Sequence, residues 1–115
     1  VAIDYPLMVR GRHLIPASQP ILMSGTASPM LLIAQGVAAG DVLIAAAVLS
    51  TSGELVNRAH VQLRDRVSEP SMGLERFWTN VNPGAVPPGR YELRVTLEDR
   101  RSGKQLTSRL DVFIQ

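Results

Sequence analysis

Two histidines and ten carboxylates are the side chains of this sequence best suited to acid–base catalysis or metal binding, since it contains no cysteine. His13 and His60 are far apart, and neither has a Glu or His four residues away, as a helical zinc site requires. The sequence also lacks a phosphate-binding glycine loop, a dinucleotide-binding glycine motif and the Gly-x-Ser-x-Gly turn of serine hydrolases. We therefore predict no catalytic residues, no resident metal and no cofactor, and we predict that the chain is not an enzyme.

The aspartates lack the Asp-x-Asp-x-Asp spacing of a calcium loop; they are Asp4, Asp41, Asp65, Asp99 and Asp111. Most of them lie at predicted strand ends, where Asp favours turns. A calcium site assembled from distant loops stays open, because sequence spacing does not reveal such ligands.

Trp78, in the segment Arg-Phe-Trp-Thr-Asn, is the only tryptophan. Strand alternation places Phe77 and Trp78 on opposite faces, so one of them can be exposed or can contact a neighbouring domain. Trp78 and Tyr5 are the candidate interaction surface, and their exposure on one concave face would indicate a carbohydrate- or small-ligand-binding module. The alternative is that Trp78 packs over a sheet edge or in the core.

The segment from Val86 to Ile114 predicts a β-hairpin. Tyr91, Leu93, Val95 and Leu97 alternate with polar residues, the period-two pattern of a half-buried strand. A polar turn containing Gly103 interrupts the pattern before β-prone residues resume at Leu106. In the return strand, Phe113 faces away from Leu110, Val112 and Ile114, so we expect its outer side to be partly covered.

Proline and glycine divide the rest of the chain into short apolar segments. These predict strands at Leu7–Val9, His13–Ile15, Ile21–Met23, Met30–Gln35, Val42–Ser50, Ala59–Arg64 and Arg76–Asn80. The segment Val42–Ser50 is ambiguous, because three alanines behind Asp41 could also form a capped helix. Its length and flanking glycines favour a strand, and its lack of alternation favours burial on both faces or a central strand facing a small-residue surface.

Length and charge restrict the class of protein. A chain of 115 residues is about one domain and can bury a core without disulfides. A formal charge of +2, with acidic residues interleaved among the arginines, argues against nucleic acid as a partner. The longest apolar run is too short to span a membrane. The chain begins at Val1 without a signal-peptide pattern, so we expect an excised domain of a longer protein.

The motif Val-Pro-Pro-Gly-Arg-Tyr, ending at Tyr91, resembles the tyrosine corner of immunoglobulin and fibronectin type III folds, in which the phenol hydroxyl bonds to the backbone upstream. A wider resemblance from Arg10 onward rests on "GRHLIPASQPIL", "DVLIAAAVLSTSGELV", "LERFW" and "VPPGRYELRVTLEDRRSGKQLTSRLDVFI". These look like the β-rich C-terminal region of bacterial, especially acidobacterial, proteins related to the von Willebrand factor type A domain. The metal-binding Asp-x-Ser-x-Ser motif of that domain is absent, so the resemblance carries over no metal site.

These features predict an all-β fold, an immunoglobulin-like β-sandwich of about seven to eight antiparallel strands forming one domain over residues 1–115. The expected function is that of a non-catalytic structural or protein-interaction module in a larger, exported bacterial protein. The expected partners are neighbouring domains or another protein. The alternative is a carbohydrate- or small-ligand-binding module.

The edges of the predicted sheet carry Pro6, Pro16 and Pro20, which make them poor templates for strand addition, so we expect a monomer. The compartment stays open, with the extracellular space or cell envelope favoured.

Overall fold

The structure, a computed structural model, describes residues 7–10, 13–16, 21–35 and 40–115. Apart from one 3-10 turn at Pro70–Met72, the regular elements in these ranges are strands. They are β1 (Leu7–Arg10), β2 (His13–Pro16), β3 (Ile21–Leu22), β4 (Ser28–Gln35), β5 (Val42–Leu49), β6 (Leu55–Glu69), β7 (Leu74–Asn82), β8 (Gly89–Asp99) and β9 (Gln105–Ile114). The all-β class is confirmed, and the ambiguous alanine-rich segment is strand β5 rather than a helix.

The nine described strands form one sheet in the order β2-β1-β4-β7-β6-β5-β8-β9-β3, which curls until it is nearly closed into a barrel. Every pairing is antiparallel except that of β3 with β9, which is parallel. The predicted sandwich of antiparallel strands therefore differs from the structure, in which the sheet is single and mixed. A strand as short as Ile21–Leu22 has no periodicity to read. Its direction depends on bonds to the distant chain end, where Gln115 N donates to Leu22 O at 2.9 Å.

Strand β6 produces the curl because it pairs with different neighbours along its length. Residues Leu55–Ala59 pair with β5, whereas His60–Glu69 pair with β7. The register shifts between Leu63 and Asp65, and such a bulge bends a strand and increases its twist. The sequence predicts only Ala59–Arg64 of this strand, but the strand extends further in both directions. The prediction is too short because many of the added residues are polar.

The core fills the inside of the curled sheet. The alternation predicted for β8 is confirmed, since Leu93, Val95 and Leu97 are each at most 2% exposed. The buried cluster comprises Leu22, Met30, Leu32, Ala34, Ala46, Val48, Phe77, Val81, Val86, Leu93, Val95, Leu97, Val112 and Ile114. The buried Thr79 Oγ1 donates to the carbonyl of Met30 at 2.7 Å, so this core hydroxyl is paired as burial requires.

The β7–β8 loop is held by neighbours from distant parts of the chain. Val86 N donates to Ser24 Oγ at 3.0 Å, and Asn57 Nδ2 donates to the carbonyl of Pro83 at 3.1 Å. Gly84 has a positive φ of 81°, and a Cβ there would collide with the Asn57 amide. Glycine is therefore required at this point of the loop.

Aromatic side chains anchor both strands of the terminal hairpin. Tyr91 Oη donates to the carbonyl of Pro87 at 2.6 Å, which is the upstream backbone bond that the sequence predicts. The ring itself is half-buried and packs against the core. Phe113 faces outward, and the guanidinium of Arg90 lies 5.0 Å from its ring centroid, so its outer side is covered as expected.

We expect Tyr91→Phe to lower the free energy of unfolding by about 0.5 to 1.5 kcal/mol, the usual net contribution of one hydrogen bond. The bond to Pro87 lies at an exposed site, so water can replace the lost donor and limit the effect. Chemical denaturation would measure the change as a lower midpoint with an unchanged slope. Identical midpoints would show that the hydroxyl contributes nothing to stability.

Candidate functional site

The outer face of β5 is apolar, which is unusual for the solvent side of a sheet. Ala46 and Val48 point into the core, so the alternate residues Leu43, Ala45 and Ala47 point outward. Leu43 is 48% exposed. β5 thus has apolar residues on both faces, as its non-alternating sequence indicates, but only one face is covered by the described residues.

A groove lies on this face where β6 departs from β5. The β5–β6 pairing reaches Ala46 opposite Ala59, and beyond that point β6 pairs with β7. The groove has a volume of about 370 Å³ and is called the alanine groove below. Its lining residues are Ala45, Ala46, Ala47, Leu55, Arg58, Ala59, Arg94 and Thr96.

Two arginines flank the floor of the alanine groove. Ala47 lies opposite Arg58 of β6 on one side and opposite Arg94 of β8 on the other. Arg94 Nη2 donates to Glu92 Oε2 at 3.2 Å, and the Arg94 side chain is 34% exposed. Its Nε is nevertheless buried without a hydrogen-bond partner among the described residues. A buried donor without an acceptor is unfavourable, so a movement of the Arg94 side chain that brought Nε to an acceptor would be favourable.

Beyond Arg94 the surface changes from apolar to polar. A second cavity of about 270 Å³, called the hydroxyl depression below, is lined by Ser50, Thr51, Ser52, Gly53, Tyr91, Glu92, Arg94, Arg109 and Asp111. Ser50 and Ser52 share a hydrogen bond of 2.9 Å within the β5–β6 turn. Hydroxyls, carboxylates and guanidinium groups together can donate to and accept from a polyhydroxy ligand.

Of the two candidate interaction residues of the sequence, Trp78 is described, and it lines neither cavity. Trp78 is half-buried on the outward side of β7, where its register partners are Leu31 of β4 and Asp65 of β6. Phe77 faces the opposite way and is fully buried, as alternation predicts. Tyr5 lies outside the described residues. His60 is exposed, and His13 lies in β2.

A buried ionic cluster lies on the core side, at the β6–β7 pairing. Glu75 accepts hydrogen bonds from Arg66 Nε at 2.9 Å and from Ser68 Oγ at 2.7 Å. The Arg66 guanidinium lies 5.0 Å from the centroid of Phe77 and also donates to the carbonyl of Gly40. Burial raises the pKa of Glu75, but the bonds from Arg66 and Ser68 and the Arg66 charge outweigh it and hold the pKa below its usual value. The carboxylate is thus saturated by its neighbours, which makes the cluster a clamp between strands.

Within the described ranges, no three His, Asp or Glu side chains come close enough to hold a metal ion. The same residues contain no helix of the length and hydropathy needed to cross a membrane.

Known proteins show only distant structural similarity to this chain. No protein-family description matches the sequence, and no curated protein matches it. Among solved structures, the chain is similar to part of a family 123 glycoside hydrolase from Clostridium perfringens that was studied for glycolipid glycan hydrolysis, with 12% identity and a TM-score of 0.49. The match covers 84% of this chain but only 22% of that one. Similarity at this level assigns neither a fold family nor a function.

We expect Glu75→Gln to lower the free energy of unfolding by roughly 2 kcal/mol at neutral pH, because charge-assisted hydrogen bonds are lost. The Glu75 side chain is only 7% exposed, so water replaces little of that loss. The folded pKa lies below the reference value of 4.5. The carboxylate therefore stabilises the fold above that pH, and the contribution is lost as the pH falls through the folded pKa.

Denaturation at a series of pH values would measure both effects. We expect the free energies of unfolding of the wild-type and Glu75→Gln proteins to become equal in acid. Glu69→Gln is the matched control, because Glu69 also pairs with an arginine but its side chain is 38% exposed. We expect a change within about 0.5 kcal/mol for this control. Equal losses in the two variants would contradict the assignment of Glu75 as a clamp.

Proposed function

We propose that this chain is a non-catalytic structural or protein-interaction module of a larger, exported bacterial protein. The observation that carries the proposal is the apolar outer face of β5, which the described residues leave uncovered. Along such a strand, residues that face the core alternate with residues that face water, and the water-facing residues are usually polar. Apolar residues grouped at water-facing positions mark a surface that a partner covers.

Neighbouring side chains extend the apolar face. Leu55, at the start of β6, lines the alanine groove and is 57% exposed. The outward alanines of β5 and Leu55 thus give the groove an apolar lining, and Arg58 and Arg94 complete it. Apolar centres with arginine at the border are common in protein interfaces. A neighbouring domain of the parent protein or a separate protein would cover this surface.

We also propose that the curled sheet is a variant of the immunoglobulin-like sandwich. The bond between Tyr91 and Pro87 has the geometry expected of a tyrosine corner, and it stands at the start of the penultimate strand. Two halves of the sheet face each other across one core, and β6 passes from one half to the other. The resemblance to the C-terminal region of von Willebrand factor type A-related proteins agrees with this fold and with a role as an appended module.

The hydroxyl depression supports a second candidate function, the binding of a carbohydrate or a similar small polyhydroxy ligand. Its lining combines three consecutive hydroxyl-bearing residues of the β5–β6 turn with Glu92, Asp111 and Arg109. Such groups can bond the hydroxyls of a sugar ring in pairs. Tyr91 is the single aromatic residue of the lining, which favours a single-sugar site over an extended platform.

A photo-crosslinking amino acid in place of Ala45 would test the interaction module in the parent protein, in the cell that produces it. We expect one discrete covalent adduct, because the side chain at this position faces the proposed partner. The same amino acid in place of Gln62, an exposed position on β6 that lies outside the alanine groove, is the matched control and should give none. Absence of an adduct from Ala45, or equal adducts from both positions, would contradict the proposal.

The second candidate predicts that Asp111→Asn weakens sugar binding about tenfold, because a charged acceptor in the hydroxyl depression is lost. NMR titration with a panel of monosaccharides would measure the affinity. Glu98→Gln is a suitable control, since Glu98 lies on β8 outside the depression. A panel that leaves the amides of the β5–β6 turn unshifted would rule out this function.

A further inference from the structure

We propose that the alanine groove binds an acidic segment of a partner protein, with one carboxylate between Arg58 and Arg94 and an adjacent aliphatic side chain on the alanine floor. This inference rests on the proposed interaction function, and it adds the chemistry by which the partner is recognised.

The charge of the groove selects an anion. Arg58 and Arg94 are the ionisable residues of its lining in the described part of the chain, and Glu92, which pairs with Arg94, lies outside that lining. Both lie in register with Ala47 on adjacent strands, which places their Cα atoms about 10 Å apart at the usual strand spacing. Two guanidinium groups reaching over one alanine can bind a carboxylate from both sides.

The donor geometry of Arg94 favours a carboxylate over other anionic groups. Glu92 occupies Nη2, but the buried Nε has no acceptor among the described residues. A guanidinium presents donors in a planar fork that matches the two oxygens of a carboxylate. Because Nε itself is inaccessible, a carboxylate in the groove would bind the exposed part of the Arg94 guanidinium and would pair with Nε only if the side chain moved outward.

The floor of the groove selects the residue beside that carboxylate. Ala45 and Ala47 present only methyl groups on the outer face, and Leu55 supplies an aliphatic wall. A volume of about 370 Å³ accommodates an acidic side chain with an aliphatic neighbour, as an extended segment would present them. If two copies of this chain met groove to groove, each would bring its own Arg58 and Arg94 against those of the other, and the like charges would repel.

NMR titration of the intact chain would test the inference with a blocked pentapeptide that has a central glutamate between two leucines, and with its glutamine analogue. We expect the glutamate peptide to shift the amides of Ala45, Ala47 and Thr96 and to bind about tenfold more tightly than the analogue. Arg94→Met and Arg58→Met should each remove this preference. Arg109→Met is the matched control, because Arg109 lies opposite Arg94 in register but outside the groove, and it should leave the preference unchanged.

Testing two arginine variants keeps the experiment informative if Arg94→Met fails to fold. Arg58 is exposed, so Arg58→Met should leave the NMR signals of the core residues unchanged. Equal binding of both peptides, binding of neither up to about 10 mM, or an equal loss in Arg109→Met would overturn the inference. A concentration-dependent dimer whose contacts map to the groove would identify a second copy as the occupant and would also overturn it. An adduct from Ala45 that persists in the Arg58→Met and Arg94→Met proteins would leave the interaction function standing while removing its acidic partner.

Discussion

The fold depends on one strand being shared between two parts of the sheet. β6 completes the β5–β8–β9 half at its start and the β4–β7 half at its end, so the core can close only if β6 bends where its partners change. The register shift near Arg64 provides the bend. Arg66 then holds the bent strand, because its guanidinium reaches Glu75 on β7 and the carbonyl of Gly40 just before β5. The same bend opens the alanine groove, since β6 cannot continue beside β5 once it has joined β7.

The fold and the proposed recognition site use arginine in two different ways. Inside the curl, Arg66 has a fixed set of partners, and the carboxylate that faces it accepts bonds from two side chains. Outside the curl, Arg94 has one carboxylate partner at its tip and a buried, unpaired Nε nearer the strand. Removing a saturated group disturbs the folded chain, whereas an unsaturated one still needs an acceptor. The difference between the two residues lies in their surroundings, which the residue type alone does not reveal.

The sequence predicts what depends on alternation and local turn chemistry. The inward face of β8, the opposite orientations of Phe77 and Trp78, and the bond from Tyr91 to the upstream backbone all follow from spacing. The parallel pairing of β3 and the full length of β6 do not, because both depend on contacts between residues far apart in the chain. The groove has a partial signal in the non-alternating run of β5. Its arginines had none, since Arg58 and Arg94 look like ordinary surface cations until the register places them on either side of Ala47.

The pairing of β4 with β7 has a consequence for the order in which the molecule assembles. Met30 lies opposite Thr79, so this pair closes a much longer loop than the turns that join β6 to β7 or β8 to β9. The entropic cost of closing a loop grows with its length, and distant pairings slow folding. We therefore expect the two hairpins to form first and β4 to dock late, with its apolar residues exposed in the meantime. In a nascent chain the edge of β4 that pairs with β7 would stay open until β7 had been synthesised, so the apolar residues of β4 need protection during synthesis.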